Sequence, residues 1–325
     1  MTCSDRAAHA NANIDDPGGH LPVMPGEAIA GLDLKPGVTV VDGTFGGGGH
    51  SRLIAERIQP GGTLIAIDRD IDADARFEAL AGRYRALGAF FQGSYSDMTG
   101  FATSLNLERV DGILLDLGFS SLQMDDPARG FSFQLDGPLD MRFDRDGSRS
   151  ASSLVNEAEE SDLADIFYQY GEERQSRRIA RAIVRVRQNT PIETTHQLAN
   201  IVEKSLGGRR GARVHPATRV FQALRIAVNT ELDELALGLR AGVELLGPGG
   251  RFVVISFHSL EDRIVKRFFA AEARGCVCPP QVPICVCGRE PRLRLIGRAV
   301  KPSPSEVAAN PRSRSAVLRV AERLA

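Results

Sequence analysis

Long hydrophobic runs are missing from this 325-residue sequence: no stretch of eighteen apolar residues occurs, so no membrane-spanning helix and no membrane partner are expected. Residues 1–19 are polar and rich in Gly, Asn and Asp, without the apolar region of a signal peptide or anchor, and are expected to be disordered. Four of the five cysteines lie within twelve residues, whereas a secreted, disulfide-stapled fold would spread them. These absences predict a cytoplasmic protein.

A strong overall charge is also missing, because the formal net charge at pH 7 is −1. The charge is unevenly distributed along the chain. Residues 174–225 hold twelve Lys or Arg, eleven of them Arg, against two Glu, whereas residues 136–173 hold eleven acids against three Arg. Arginine favours contacts with phosphates and base planes, so the basic segment predicts binding to RNA or DNA rather than a merely solvated face.

The helical spacing of this segment separates its charged residues from its apolar ones. The apolar face holds Ile179, Ile183 and Val186. The opposite stripe is predicted to hold Arg174, Arg178, Arg181 and Arg185. Further along the chain, Arg213 and Arg219 complete the predicted contacts with nucleic acid.

Alternating strand and helix patterns predict an α/β fold. The first four strands are predicted at Val38–Asp42, Thr63–Asp68, Ala89–Gln92 and Val110–Leu117. Four strand–helix units in so short a stretch indicate a parallel sheet with right-handed crossovers. A fifth strand is predicted at Arg251–His258, and a closing pair at Leu293–Gly297 and Ser315–Arg323.

The alternation fails between the fourth and fifth strands. Residues 154–206 have helical spacing, and one long helical pattern runs from Ala217 to Leu246, where Pro248–Gly250 end it. The chain is therefore predicted to be a doubly wound, Rossmann-like sheet interrupted by a mostly helical insertion. The predicted domains are a nucleotide-type cofactor domain, residues 20–137 and 216–325, and a basic substrate-recognition domain, residues 138–215.

A glycine-rich turn at residues 42–51 is the strongest local signal for a bound ligand. A β-branched strand ends at Asp42, five glycines follow within eight residues, and a helix begins. Glycines are placed this way where backbone must lie close to a nucleotide. Asp68 lies twenty residues after Gly48, the spacing at which a carboxylate accepts the hydroxyls of an adenosine ribose. With Asp116, three neighbouring strands end in carboxylates, which predicts a function for all three.

The ends of the third, fourth and fifth predicted strands carry groups suited to catalysis or substrate binding. Asp116 and Phe119 suit chemistry on an exocyclic amino group, because a carboxylate accepts its N–H and an aromatic face holds its ring. Tyr95 is predicted to contact an adenine, or alternatively to fill the gap between helix and sheet. His258 is a candidate base, although a histidine at a helix start is more often structural.

The four clustered cysteines leave two interpretations open. Cys276, Cys278, Cys285 and Cys287 have the number of thiols that tetrahedral zinc requires. Within each pair, however, one residue separates the cysteines, where two to four are usual. The alternative is reduced cysteines in a loop stiffened by prolines, and no metal is assigned on the sequence alone.

Many stretches together resemble one family, the bacterial cytosine-N4 methyltransferases of small-subunit (16S) ribosomal RNA, which use S-adenosylmethionine (SAM). The matching stretches are HLPVMPGEA (20–28), DGTFGGGGHS (42–51), AIDRD (66–70), DGILLDLGFSS (111–121), RGFSF (129–133), GPLDMR (137–142), YGEER (170–174), RIARAIV (178–184), HPATRVFQALRIAVN (215–229), ISFHSLEDRIVKRF (255–268) and NPRSRSAVLR (310–319). They run from about residue 20 to the C-terminus.

The resemblance implies a class I methyltransferase fold and a target cytosine in the decoding region of the RNA, within the small ribosomal subunit. It places the SAM contacts on Gly48, Gly49, His50, Asp68, Tyr95, Asp116 and Gln123. The sequence departs from the family pattern at Gly47, Tyr95 and Leu122, and of these only the Gly47 departure bears on phosphate-side or substrate contacts at the loop. The catalytic assignment of Asp116 and His258 rests on the residues themselves. The oligomeric state, with a homodimer as one option, is left open.

Two other functions remain open on the sequence alone. Gly46, Gly48 and Ser51 with Asp68 also fit the fingerprint of an NAD-dependent oxidoreductase, although no hydride-transfer site follows. A non-catalytic RNA-binding assembly factor would explain the basic segment but not the carboxylates at the strand ends.

Overall fold

The computed structural model describes residues 21–145, 147, 149–208, 214–276, 278, 284 and 287–325. The expectation of disorder for residues 1–19 concerns residues outside these ranges. Arg213 and Cys285 also lie outside the described residues. Within the described ranges, no helix combines the length and the apolar character needed to cross a bilayer.

Seven strands form one sheet. They are β1 (Thr39–Asp42), β2 (Thr63–Asp68), β3 (Leu87–Gln92), β4 (Val110–Asp116), β5 (Leu246–Ser256), β6 (Leu293–Val300) and β7 (Val317–Arg323). Their order in the sheet is β3-β2-β1-β4-β5-β7-β6. The first five pair in parallel, and β7 is antiparallel to both β5 and β6. The predicted doubly wound sheet with a closing pair of strands is confirmed.

Helices cover both faces of this sheet and form the segment between β4 and β5. They are α1 (Pro25–Leu32), α2 (Gly49–Ile58), α3 (Ala73–Ala81), α4 (Met98–Ser104), α5 (Ser121–Asp125), α6 (Ala151–Glu157), α7 (Glu160–Gln169), α8 (Ser176–Arg187), α9 (Thr195–Ser205), α10 (Thr218–Asn229), α11 (Glu231–Leu245), α12 (Ser259–Glu272) and α13 (Pro304–Ala309).

Three clusters of buried apolar side chains hold these layers together. One cluster packs α1, α2 and α3 on one face of the sheet, and a second packs α4, α11 and α12 on the other. The central strands are apolar on both faces, as covered parallel strands are. The third cluster lies away from the sheet and joins α6, α7, α8, α9 and the first half of α10. Helices α6 to α9 and the first half of α10 therefore have a core of their own.

The long helix predicted from Ala217 to Leu246 is wrong, because the chain forms two helices there. Thr230 adopts a left-handed conformation with φ 51° and separates α10 from α11. The buried side chain of Asn229 holds this break: its amide nitrogen donates to Met141 O at 2.7 Å and to Arg225 O at 2.9 Å, and its oxygen accepts from Phe143 N at 2.8 Å. The apolar spacing continues through the break, so periodicity alone could not locate it.

The predicted start of the fifth strand is also wrong. β5 begins at Leu246, so Pro248–Gly250 belong to the strand rather than to a helix end. Leu246 pairs with Val110, and an irregularity in the register then accommodates the additional residues before Arg251 pairs with Gly112. Local Pro and Gly signals predict a turn here, but the pairing with β4 extends the strand.

We expect Asn229→Ala to destabilise the fold by about 1–3 kcal/mol, because Met141 O and Phe143 N lose a buried partner. Urea unfolding measures the change. The matched control is Asn200→Ala at an exposed position on α9, which should change stability little. Equal losses in the two variants would contradict the assigned role of Asn229.

Candidate active site

A cavity of about 380 Å³ opens beyond the carboxyl ends of β1, β2 and β4. In a doubly wound sheet this edge is where ligands bind. Of the residues predicted from the sequence, the cavity is lined by Gly49, His50, Asp68, Tyr95, Asp116, Phe119 and Gln123. Gly48, His258 and Asp42 are not among the lining residues.

The glycine turn after β1 forms one wall of the cavity. Gly46 has a φ of 55°, and its backbone N–H donates to Asp68 Oδ2 at 2.6 Å, which ties the turn to the end of β2. Gly48 has a φ of 79° and lies against Phe45, 2.9 Å from where a Cβ would stand. The atom nearest to a Cβ built on Gly47 is 4.0 Å away, so a side chain there would enter the cavity that Gly47 lines.

Asp42 fixes the turn from behind. Its buried carboxylate accepts from Ser51 Oγ at 2.6 Å and from Thr44 N at 3.1 Å, which joins the strand end to the first turn of α2. Burial raises its pKa despite these hydrogen bonds. Because Asp42 does not line the cavity, its described contacts support the fold, and the expectation that all three strand-end carboxylates are functional is not met for this one.

Asp68 faces the cavity at the end of β2. Besides Gly46 N, its carboxylate accepts from Asp70 N at 2.8 Å, and each oxygen keeps a lone pair for a ligand. Burial raises the pKa of Asp68 to about 6, and the two backbone hydrogen bonds oppose this rise. Near neutral pH, Asp68 is therefore an ionised acceptor that takes up a proton in mildly acidic solution.

A buried ionic network next to Asp68 is absent from the sequence predictions. Asp70 is 2% exposed and binds Arg129 Nη1 at 3.1 Å, Arg76 Nη2 at 3.2 Å and Gln123 Nε2 at 3.2 Å. Burial raises the pKa of Asp70, but the nearby guanidiniums outweigh this effect and lower it. The network fixes the Gln123 side chain, whose oxygen also accepts from Ser120 N at 2.9 Å. The sequence signal for this network was a second aspartate, Asp70, two residues after Asp68.

Tyr95 lies in the turn after β3 and packs closely on glycines of two other elements. A Cβ on Gly238 of α11 would stand 2.4 Å from its ring, and one on Gly43 would stand 2.9 Å from its Cβ. Burial, with the negative charges of Glu261 and Glu231 nearby, raises the pKa of Tyr95. Tyr95 thus fills the space between turn and helix and also lines the cavity, while its contact with an adenine stays a prediction.

Asp116 and His50 face each other inside the cavity. Asp116 Oδ1 is buried and has no hydrogen-bond partner among the described residues, and Oδ2 lies 3.6 Å from His50 Nδ1. His50 Nε2 is 2.9 Å from Val23 O, an acceptor, so Nε2 carries the proton and Nδ1 keeps a lone pair. Burial lowers the pKa of His50 to about 4, while burial and the nearby Asp42 and Glu261 raise that of Asp116 well above its usual range.

Phe119 connects the cavity to the helices of the inserted segment. Its ring stacks on Phe131 with centroids 5.4 Å apart, and the Arg225 guanidinium lies 4.7 Å from its centroid. Arg225 also makes two 2.8 Å hydrogen bonds to the carboxylate of Glu231. Arg225 belongs to the basic segment predicted to bind nucleic acid, but it is only 8% exposed and is paired with Glu231. A charged residue between Leu224 and Ile226 was the signal for its burial.

His258 caps α12 and does not line the cavity. Its Nδ1 accepts from Glu261 N at 3.4 Å, and its Nε2 lies 3.1 Å from Glu261 Oε1. The side chains of Glu231, His258 and Glu261 come within 4.8 Å of one another, a grouping that a cation could use. Arg225 already binds both oxygens of Glu231 and neutralises part of this charge. These contacts give His258 a structural role as the cap of α12, and its catalytic role stays a prediction.

The predicted RNA-contacting arginines are on the surface of the helical segment. Arg178, Arg181 and Arg185 are exposed on α8, opposite the buried Ile179 and Ile183. Arg174 is exposed but precedes the helix, so its predicted place on the stripe is wrong.

Two of these arginines have acidic neighbours. Arg181 lies 3.6 Å from Glu160, and Arg219, also exposed, lies 3.8 Å from Glu173. The surface remains strongly basic but includes these acids.

The residues of this cavity fit SAM. A glycine turn without side chains and an ionised acceptor at the end of β2 are the groups that the adenosine part of SAM requires. Fold and site thus define a SAM-dependent methyltransferase with a Rossmann-like fold. A family model, the MraW methylase family, matches residues 18–324, and the chain belongs to that family.

Curated relatives match the chain over nearly its whole length. A protein of Thermomicrobium roseum is 55% identical over 307 residues, which are 94% of each chain. A protein of Syntrophotalea carbinolica is 53% identical over 313 residues, 94% of this chain and 98% of the relative. Both are named ribosomal RNA small subunit methyltransferase H. Family membership decides against the oxidoreductase and against the non-catalytic factor, and SAM is the cofactor.

We expect the affinity for SAM to fall as the pH drops below about 6, because Asp68 then gains a proton and loses the charge that strengthens its hydrogen bonds to hydroxyls. Asp68→Asn should weaken binding roughly tenfold and flatten this pH dependence. Calorimetric titration with SAM between pH 5 and 8 measures both effects.

The matched control is Asp74→Asn, at an exposed position on α3, which should keep the wild-type affinity and pH profile. Wild-type affinity in Asp68→Asn at every pH would refute a contact between Asp68 and the cofactor.

Proposed function

We propose that this enzyme transfers the methyl group of SAM to the exocyclic N4 amine of a cytosine in the decoding region of small-subunit (16S) ribosomal RNA. The names of relatives at 55% and 53% identity support the RNA substrate. The buried, unpaired Asp116 Oδ1 carries the assignment to an amine, because such an oxygen is stabilised by a donor N–H from the substrate.

An amine in conjugation with a ring is a poor nucleophile. When bound, SAM supplies an electrophilic methyl group. Asp116 accepts one N–H of the amine and favours localisation of the nitrogen lone pair, and binding in one cavity aligns the amine with the methyl group. Methyl transfer would form the new C–N bond as the methyl–sulfur bond breaks, with S-adenosylhomocysteine as the leaving group. The methylated amine must then lose a proton, and the raised pKa of Asp116 makes this carboxylate a competent acceptor. His50 Nδ1, 3.6 Å away, has the lone pair to share that proton.

The helical segment of residues 138–215, between the two parts of the SAM-binding domain, is assigned to RNA recognition. Arg178 and Arg185 are exposed on α8 with no described ion pair, which suits contacts to phosphates. Phe119 packs against the apolar core of this segment, lines the same cavity as Asp116, and offers an aromatic contact to the target base. We propose that the substrate is RNA within the small ribosomal subunit and that the enzyme acts in the cytoplasm. That the enzyme forms a homodimer stays a prediction.

We expect Asp116→Ala to lower kcat by at least about 10²-fold, the usual contribution of a positioned general base. The fold should survive, because Asp116 Oδ1 is buried without a described hydrogen-bond partner. Its removal relieves the free-energy penalty of burying an unsatisfied polar atom. The assay measures radiolabelled methyl transfer to small subunits, and separately to free RNA, from cells that lack the protein. Mass spectrometry of the nucleosides identifies the methylated atom.

Asp111→Ala is the control, an exposed carboxylate near the other end of the same strand, and should leave kcat unchanged. Full activity of Asp116→Ala would refute its role, and a product other than N4-methylcytidine would refute the proposed reaction.

We expect the double variant Arg178→Gln with Arg185→Gln to raise the KM for RNA. The slope of log K for RNA binding against log salt concentration should become shallower by about 1.4–1.8, which corresponds to the loss of two phosphate contacts. SAM affinity should not change, because neither residue lines the cavity. Fluorescence anisotropy over a salt series gives the slope. Arg83→Gln with Arg298→Gln, two exposed arginines outside the helical segment, is the control. Equal effects of the two pairs would contradict recognition by α8.

A further inference from the structure

Three cysteines meet in the loop between α12 and β6, away from the residues that line the cavity. One sulfur from each of Cys276, Cys278 and Cys287 lies within 4.8 Å of the other two. Cys276 and Cys287 are eleven residues apart in sequence, so the loop must fold back to bring them together. The sequence left this group open between a zinc site and ordinary thiols.

One distance between two of these sulfurs matches that of a metal site. Sulfurs bound at about 2.3 Å to a tetrahedral zinc lie about 3.8 Å from one another. Cys276 Sγ and Cys287 Sγ are 3.9 Å apart. A disulfide would instead require about 2.05 Å. The Cys278 backbone N–H also donates to Cys276 Sγ at 3.4 Å, the kind of hydrogen bond that stabilises and orients a metal-bound thiolate.

The base of the loop is held by a buried carboxylate. Glu272, at the end of α12, is 7% exposed and binds Arg289 Nη2 at 3.0 Å and Arg292 Nε at 2.6 Å. Arg292 N also donates to Glu272 O at 2.9 Å. These contacts fix the two ends of the loop next to each other without any metal, so the cysteines are brought close before a metal binds.

We propose that Cys276, Cys278 and Cys287 bind one zinc ion that closes this loop. Soft thiolates favour zinc over the hard cations Mg²⁺ and Ca²⁺. The spacing of one residue between Cys276 and Cys278, unusual for zinc, is compatible with binding because Cys287 arrives from the other side of the loop. The site is structural and separate from the cofactor cavity, since none of the three cysteines lines that cavity.

To test this proposal, the full-length protein is loaded with zinc in a thiol-free reductant and unbound metal is removed by gel filtration. Bound zinc is then quantified by inductively coupled plasma mass spectrometry. We expect one zinc per chain in the wild type and in Cys3→Ser, which removes the cysteine distant in sequence. Cys276→Ser and Cys287→Ser should each lose at least about tenfold in zinc affinity, as metal-site substitutions do. Zinc removal by a chelator should lower the thermal midpoint of the wild type, but of neither variant.

SAM affinity, measured on every variant, shows whether each still folds, and we expect it to be unchanged. Co²⁺ in place of zinc should give the visible absorption of a tetrahedral sulfur site in the wild type and in Cys3→Ser, but in neither Cys276→Ser nor Cys287→Ser. A wild type that retains no zinc, or that holds Cys276 and Cys287 in a disulfide under these conditions, would overturn the proposal. So would unchanged zinc affinity in the two variants, because the metal would then lie elsewhere.

Discussion

The parallel pairing of β1 with β2 on one side and β4 on the other is the constraint on which the site depends. It brings three strand ends to one edge, where Asp68 and Asp116 face a common cavity. The hydrogen bond from Gly46 N to Asp68 then fixes the glycine turn against the end of β2. Asp42 holds the same turn to α2 from behind. Cofactor binding thus follows from backbone pairing reinforced by two carboxylates.

Electrostatics divides the cavity into two parts. Near Asp68, Asp70 and two arginines form a compensated network that keeps Gln123 in place. Near Asp116, compensation is incomplete: one oxygen has no described partner, and a neutral His50 is its neighbour. A buried carboxylate in this state has a raised pKa and a vacant lone pair, properties that suit a group that accepts a proton from an amine. The unpaired oxygen costs stability in the free enzyme and favours substrate binding.

The sequence predicts the sheet well because strand pattern and turn residues act locally. Thr63–Asp68 has the predicted bounds, and most cavity residues are at strand ends that the pattern locates. Interactions between distant residues escape such reasoning. The break at Thr230 depends on Asn229 reaching Met141, and the burial of Arg225 depends on Glu231 in the following helix. The assignment of His258 depended on its place after a strand, but its ring turns to cap α12 instead.

The central claim is that Asp116 Oδ1 receives the amine of the target cytosine. A crystal structure of the enzyme with S-adenosylhomocysteine and an oligonucleotide that carries this cytosine tests it most directly. We expect the exocyclic N4 atom to lie within about 3.2 Å of Asp116 Oδ1, on the side of the cavity that faces the cofactor sulfur. A cytosine bound with its amine turned to another acceptor, with Oδ1 still unpaired, would contradict it.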